Sequence, residues 1–131
     1  MEQFIENNCN PKQLSPLTLA FVGDGVYDLL VREYLVKEAN RPVGELNKIK
    51  VSMVNCKSQA KYAQMLMPQL TETEIAVYKR GRNATTQNTP KNSTPADYHS
   101  ATGLEALFGY LYLNNELSRI KELFHKILSI T

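Results

Sequence analysis

The stretch from Leu17 to about Ala39 restricts the fold more than any other part of this chain. Ser15-Pro16 offers an N-cap followed by proline at the first helical position, and apolar residues then dominate, Leu17, Phe21, Val22, Val26, Leu29, Leu30 and Val36 among them. A helix this apolar does not suit a protein surface, so the pattern predicts the centre of a helical bundle. At its heart, however, stand Gly23 and Gly25 with Asp24 between them. Each glycine costs about 1 kcal/mol relative to alanine in a helix interior. Aspartate is a poor helix former whose charge is expensive to bury without a partner. A second segment breaks the same rules. In Thr102-Gly-Leu-Glu-Ala-Leu-Phe-Gly-Tyr-Leu-Tyr-Leu113, Glu105 sits in an equally apolar run with Gly103 and Gly109 around it. Four of the six glycines of the chain therefore lie within four residues of these two acids.

The remaining periodicity is helical too. Val43 to about Leu66 reads as one helix, or two broken near Asn55, with Leu46, Ile49, Met53, Tyr62, Ala63 and Leu66 inward and lysines outward. Pro68 ends that stretch. Thr71-Glu-Thr-Glu74 is a capping-box signature opening a helix to about Gly81. Residues 83 to 94 form one long polar loop, of a length that in compact domains tends to be functional or mobile. Thr94-Pro95 caps a helix through about Leu113, Asn114-Asn115 breaks it, and Leu117, Ile120, Leu123, Phe124, Ile127 and Leu128 mark a final amphipathic helix. With no alternating strand pattern, repeat or linker, 131 residues predict an all-α single domain spanning residues 1–131. No apolar run reaches the roughly 18 residues of a membrane span, and MEQFIENNCN lacks the features of a signal peptide. Cys9 and Cys56 form no framework, which suits free thiols in a reducing cytoplasm.

The formal net charge is only +2, but it is unevenly divided. Between Lys48 and Lys91 eight basic residues face Glu72 and Glu74, a net of +6, and the rest of the chain carries −4. Such asymmetry suggests a polyanionic partner. Carboxylates on two facing helices can jointly hold a hard divalent cation, and oxygen-only ligation suits Mg²⁺ or Mn²⁺, ions that support phosphodiester hydrolysis. Asp24 and Glu105 are the candidate ligands, with Asp28, one turn on, as an outer-shell residue or plain polar surface. The alternative is an acid exposed on a helix edge or paired with a neighbour such as Arg32. Hydrolysis through a Ser-His-Asp or Cys-His arrangement is disfavoured, since His99 and His125 are the only histidines and no nucleophile elbow is present. His99 fits contact with an RNA phosphate better than general-base work. No glycine-rich phosphate loop occurs.

Leu19-Ala-Phe-Val-Gly-Asp-Gly-Val-Tyr27 resembles the signature helix of ribonuclease III domains, and Glu105-Ala-Leu-Phe-Gly-Tyr-Leu-Tyr-Leu113 resembles that family's second acidic helix. Their order and separation match, and the resemblance covers about residues 14 to 130. Lys79-Arg-Gly-Arg-Asn83 and Tyr98-His-Ser-Ala-Thr-Gly-Leu-Glu-Ala106 look like motifs of the bacterial Mini-ribonuclease III group, short members consisting of the catalytic domain without a double-stranded-RNA-binding domain. His99 stands where that group is expected to carry arginine. Larger members have a glutamate four residues before the signature aspartate and an aspartate three residues before the second-helix glutamate. Here those positions are Ala20 and Thr102.

The resemblance implies a homodimeric, Mg²⁺-dependent endoribonuclease, with Mn²⁺ able to substitute, that cuts double-stranded RNA to leave 5′-phosphate ends. Processing of the 23S ribosomal RNA precursor is the role expected within the group. Asp24 and Glu105 would hold the metal, with Asp28 and Thr102 behind them. Lys79, Arg80, Arg82, Asn83, Lys91 and His99 would meet the RNA, which in A-form is read largely through phosphates and 2′-hydroxyls. The apolar signature helix would also supply dimer contacts, with Phe21, Val22 and Leu29 facing a partner. Ala20 and Thr102 keep a second expectation open, a catalytically silent RNA-binding or scaffolding protein on the same fold.

Overall fold

A computed structural model describes residues 2–84 and 89–131, so the middle of the polar loop expected at 83–94 lies outside the described residues. Among the described residues six α-helices follow one another: α1 (Pro16–Glu38), α2 (Val43–Val54), α3 (Cys56–Leu66), α4 (Glu72–Arg82), α5 (Pro95–Leu113) and α6 (Leu117–Leu128). Short 3₁₀ turns at Pro11–Gln13 and Met67–Gln69 complete the set, and no strand occurs among the described residues. The starts are chemically specified. Ser15 Oγ accepts from the Thr18 N–H at 3.2 Å and Thr94 Oγ1 from the Asp97 N–H at 3.1 Å. Thr71 and Glu74 close a reciprocal capping box. Asn55 decides that 43–66 is two helices. Its side-chain oxygen caps α3 at the Ser58 N–H, while its Nδ2 donates to Val51 O at the end of α2. No described helix is long and apolar enough to cross a membrane. Cys9 is exposed, Cys56 is half-buried, and both are free.

The centre of the bundle is α5, not α1. Ten of its residues, from Ala101 to Leu111, are buried, and α1, α3, α4 and α6 pack around it. The expectation for α1 fails because one apolar face of the helix is not used internally. Leu17, Leu29 and Val36 are exposed and Phe21 is 83% exposed, while Leu19, Val26, Tyr27, Val31 and Leu35 form the inward face. Val22 packs against the core instead of facing outward with Phe21. Tyr27 joins the layers: its ring lies 5.6 Å from that of Phe108 and 6.1 Å from that of Phe124. Its hydroxyl donates to Met53 O at 3.0 Å, and burial pushes the phenol well above its ordinary pKa.

One ion pair ties the last helix to the rest. Glu74, only 4% exposed, accepts from Arg119 Nε and Nη2, both at 2.9 Å, while the same guanidinium donates to Gln69 O and Glu122. Burial alone would raise the Glu74 carboxyl, but Arg119 and the Thr71 N–H and hydroxyl outweigh it and hold the group below the usual range. Arg119→Ala therefore leaves a buried carboxylate with only its capping bonds, and a loss of about 3 kcal/mol follows, seen as a fall in melting temperature of roughly 10 °C. Because the folded pKa is depressed, the wild-type contribution is complete above about pH 4.5 and disappears as pH falls through the folded value. Melting curves of both proteins between pH 3 and 7 check this, and equal curves at neutral pH would show the pair to be inert.

Candidate active site

Two glycines bring α1 and α5 into backbone contact. A Cβ built on Gly23 would lie 1.6 Å from Glu105 O and 2.7 Å from Gly109 N, and one on Gly109 would lie 1.9 Å from Leu19 O. No side chain larger than hydrogen fits at either point, which accounts for two helix-weakening residues in the most apolar helices of the chain. Gly103 serves another neighbour, since its Cβ would fall 2.8 Å from the Tyr78 ring and Tyr78 O. Gly25 faces open space, with nothing among the described residues within 4 Å of its Cβ.

The crossing sets the position of the two acids, because Asp24 directly follows Gly23 and Glu105 is the residue whose carbonyl Gly23 touches. Glu105 is partly buried, and its carboxyl is pushed up to about 8, first by burial and then by the charge of Asp24 beside it. A hydrogen bond from Gln59 Nε2 to Glu105 Oε2, at 3.4 Å, acts in the opposite direction. Asp24 itself is exposed. Among the described residues neither acid takes part in a salt bridge. The pairing of Asp24 with Arg32 does not occur, since Arg32 Nε binds Asp28 at 2.6 Å. Two acids held together without a counter-cation, one of them driven towards its protonated form, make a donor set suited to a hard divalent ion. Among the described residues no group of three or more His, Cys, Asp or Glu side chains assembles, so further donors to such an ion would be neutral oxygens or water.

The other candidates fall in different places. The Asp28 carboxylate is engaged by Arg32 and, at 3.5 Å, by Lys50 of α2. Lys50 is thereby only 17% exposed, unlike the outward lysines expected of this segment. The Thr102 hydroxyl is buried and donates to Tyr98 O at 3.0 Å, one turn back in α5. Arg82 is half-buried, with its guanidinium 5.7 Å from the centre of the Tyr78 ring and its Nε 3.4 Å from Asn83 Oδ1. Arg80 lies about 200° away around α4, given 3.6 residues per turn, and lines a small cleft with Lys12, Thr73 and Tyr110. Arg80 and Arg82 thus leave α4 on opposite sides. Lys79 and Lys91 are exposed, and His99 is half-buried in the second turn of α5 beside Tyr98. Gln59 is the site residue that sequence reading missed. Its signal was present: a polar residue in the buried register shared with Tyr62, Ala63 and Leu66.

Residues 17–116 match the Ribonuclease III domain, a span that contains both acids and all four glycines around them. The chain is 44% identical to the Mini-ribonuclease 3 of Symbiobacterium thermophilum over 113 residues, covering 86% of this chain and 87% of that protein. It is 38% identical to the Mini-ribonuclease 3 of Staphylococcus aureus over 121 residues, covering 91% and 90% respectively. A crystal structure of a Fusobacterium nucleatum protein superposes with a TM-score of 0.83 at 30% identity, covering 90% of this chain and 94% of that one. With a domain match over most of its length and relatives alike nearly end to end, the chain belongs to the ribonuclease III family, within its Mini-ribonuclease III group.

Proposed function

We propose that this ribonuclease III-type endoribonuclease cuts double-stranded RNA with Mg²⁺, or Mn²⁺ in its place, held by Asp24 and Glu105. The observation that carries the reading is the meeting of these two acids, without a counter-cation, across the Gly23–Gly109 crossing. When bound, the ion supplies Lewis acidity and counter-charge for the scissile phosphate. Glu105 gives up the proton that burial and Asp24 favour, and the two carboxylates then fix the site on α1 and α5. Arg82 and Asn83, with Lys79, Arg80, Lys91 and His99, take phosphates and 2′-hydroxyls along the duplex. Because Arg80 and Arg82 diverge, they serve different strands or turns of the RNA and not one phosphate. The exposed Leu17, Phe21 and Leu29, together with open Gly25, recur at four-residue spacing on α1 and form the face for a second copy. A dimer then carries two sites, one for each strand. The domain acts in the cytoplasm, and the 23S ribosomal RNA precursor is the substrate proposed.

A duplex of some tens of base pairs, its two strands labelled separately, tests this against single-stranded RNA and duplex DNA of the same sequence. Mg²⁺-dependent cuts confined to the RNA duplex, with 5′-phosphate ends, are expected, and cleavage falls with added salt because phosphate contacts hold the substrate. Sedimentation of the same preparation gives a dimer. Binding without Mg²⁺-dependent fragments would instead support the silent scaffold, a reading that buried Ala20 and the internally bonded Thr102 hydroxyl favour to the extent that they reduce the number of acids.

A further inference from the structure

Gln59 is 3% exposed and bridges three helices. Its Nε2 donates to Val54 O at 2.8 Å, a carbonyl in the last residue of α2, and to Glu105 Oε2 at 3.4 Å on α5. A backbone carbonyl such as Val54 O can only accept, so the amide cannot be reversed without setting oxygen against oxygen at that contact. Among the described residues its Oε1 is consequently left buried with no hydrogen-bond partner. Buried carbonyl oxygens are rarely left unpaired in folded proteins, and such an atom calls for a partner of its own. That atom lies within about 6 Å of Glu105 Oε2, because the two polar atoms of an amide are separated by only about 2.3 Å. An amide oxygen is a good acceptor for Mg²⁺ or for the waters that this ion retains.

We propose that Gln59 is a positioning residue of the metal site: its Nε2 orients the Glu105 carboxylate, and its orphaned Oε1 accepts from a water in the shell of the bound cation. This rests on the reading of Asp24 and Glu105 as the metal-holding pair. It also relates to the departures at Ala20 and Thr102, since a neutral amide from α3 adds an oxygen to a site that has only two acids. α3 thereby becomes a third wall of the site, fixed in turn to the end of α2 through Val54.

The test measures Mn²⁺ affinity by electron paramagnetic resonance on wild type, Gln59→Met and Glu105→Gln, beside their melting curves in chelator. Methionine keeps the length and burial of the side chain and removes both polar atoms. A fall in Mn²⁺ affinity of about 10–100-fold in Gln59→Met, with duplex cleavage recovering as Mn²⁺ is raised, is the expected result. Wild-type Mn²⁺ affinity in a folded Gln59→Met protein overturns the inference, whatever happens to its melting temperature. If that variant does not fold, the side-chain amide resonances of Gln59 in the wild-type protein decide. They shift in step with a Mg²⁺ titration if the inference holds and stay unmoved if it does not. Glu105→Gln separates the two levels: undiminished Mn²⁺ binding there removes the underlying site, whereas lost binding there with retained binding in Gln59→Met removes only the role of Gln59.

Discussion

Gly23→Ala is expected to lower the melting temperature by roughly 10 °C or more and to abolish cleavage, although alanine is the better helix former. Intrinsic propensity favours the substitution by about 1 kcal/mol. Against this, the new methyl group would stand 1.6 Å from Glu105 O and 2.6 Å from the carbon of that carbonyl. Backbone atoms of a central helix cannot rotate away as a side-chain tip can, so α1 and α5 must separate along the crossing. Overpacking a well-filled core typically costs about 1–3 kcal/mol, and a clash with backbone belongs at or above the top of that range. Separation would also unseat Tyr27 from Phe108 and pull Asp24 from Glu105, so function fails with stability. Gly109→Ala, whose methyl group would lie 1.9 Å from Leu19 O, behaves likewise. Gly44→Ala is the control, since nothing among the described residues lies within 4 Å of its Cβ and α2 gains from the better helix former. Thermal melts and circular dichroism of the three variants check the prediction. Equal effects at positions 23 and 44 would show that the crossing is not what Gly23 serves.

Glu105→Gln and Asp24→Asn are each expected to reduce duplex cleavage by about three orders of magnitude or more, the equivalent of several kcal/mol in transition-state stabilisation, while the protein stays folded. Stability carries a second, independent signature. The Glu105 carboxyl is raised from 4.5 to about 8, so the metal-free folded state holds a proton that the unfolded state releases across that interval. Wild-type stability therefore declines as pH rises from about 4.5 to about 8. Glutamine imitates the protonated acid and removes the decline. The stability advantage of Glu105→Gln in chelator grows with pH through that window and levels off above it. Asp24→Asn removes the charge of Asp24 from the causes of the shift and draws the upper end of the window downward, leaving burial opposed by the Gln59 hydrogen bond. Chemical denaturation at several pH values measures both. A Glu105→Gln protein whose stability follows wild type at every pH would mean that Glu105 is not a buried, charge-coupled acid.

Legibility in the sequence followed the range of each interaction. Helix starts at Ser15, Thr71 and Thr94 depend on bonds between residues three apart, and all three were readable in advance. The break at Asn55 was readable only as one of two options, because its side chain serves the helix before and the helix after it. The amphipathic stripe of α6 shows on one strand of sequence what it buries, and Ile120, Leu123, Phe124 and Ile127 are buried as read. An apolar run as broad as that of α1 carries no such information. Apolar side chains look alike whether their own core covers them or not, so α1 passed for the centre while Phe21 stands in solvent. Lys50 escaped for a related reason, since its partner Asp28 lies on another helix.

By itself, then, the sequence determined five or six helical segments in one domain, the family, and the two acids worth watching, the last because glycines and carboxylates inside apolar helices violate local preference and need a non-local cause. Only the tertiary structure decided which helix is central, that Gly23 and Gly109 are the points of contact while Gly25 is not, that Asp24 meets Glu105 and not Arg32, and that Gln59 of α3 donates both to Glu105 of α5 and to Val54 O at the end of α2. The division has a physical reason. Capping and periodicity act over a few residues of chain, whereas burial, charge coupling and unpaired polar atoms exist only once distant segments share one interior.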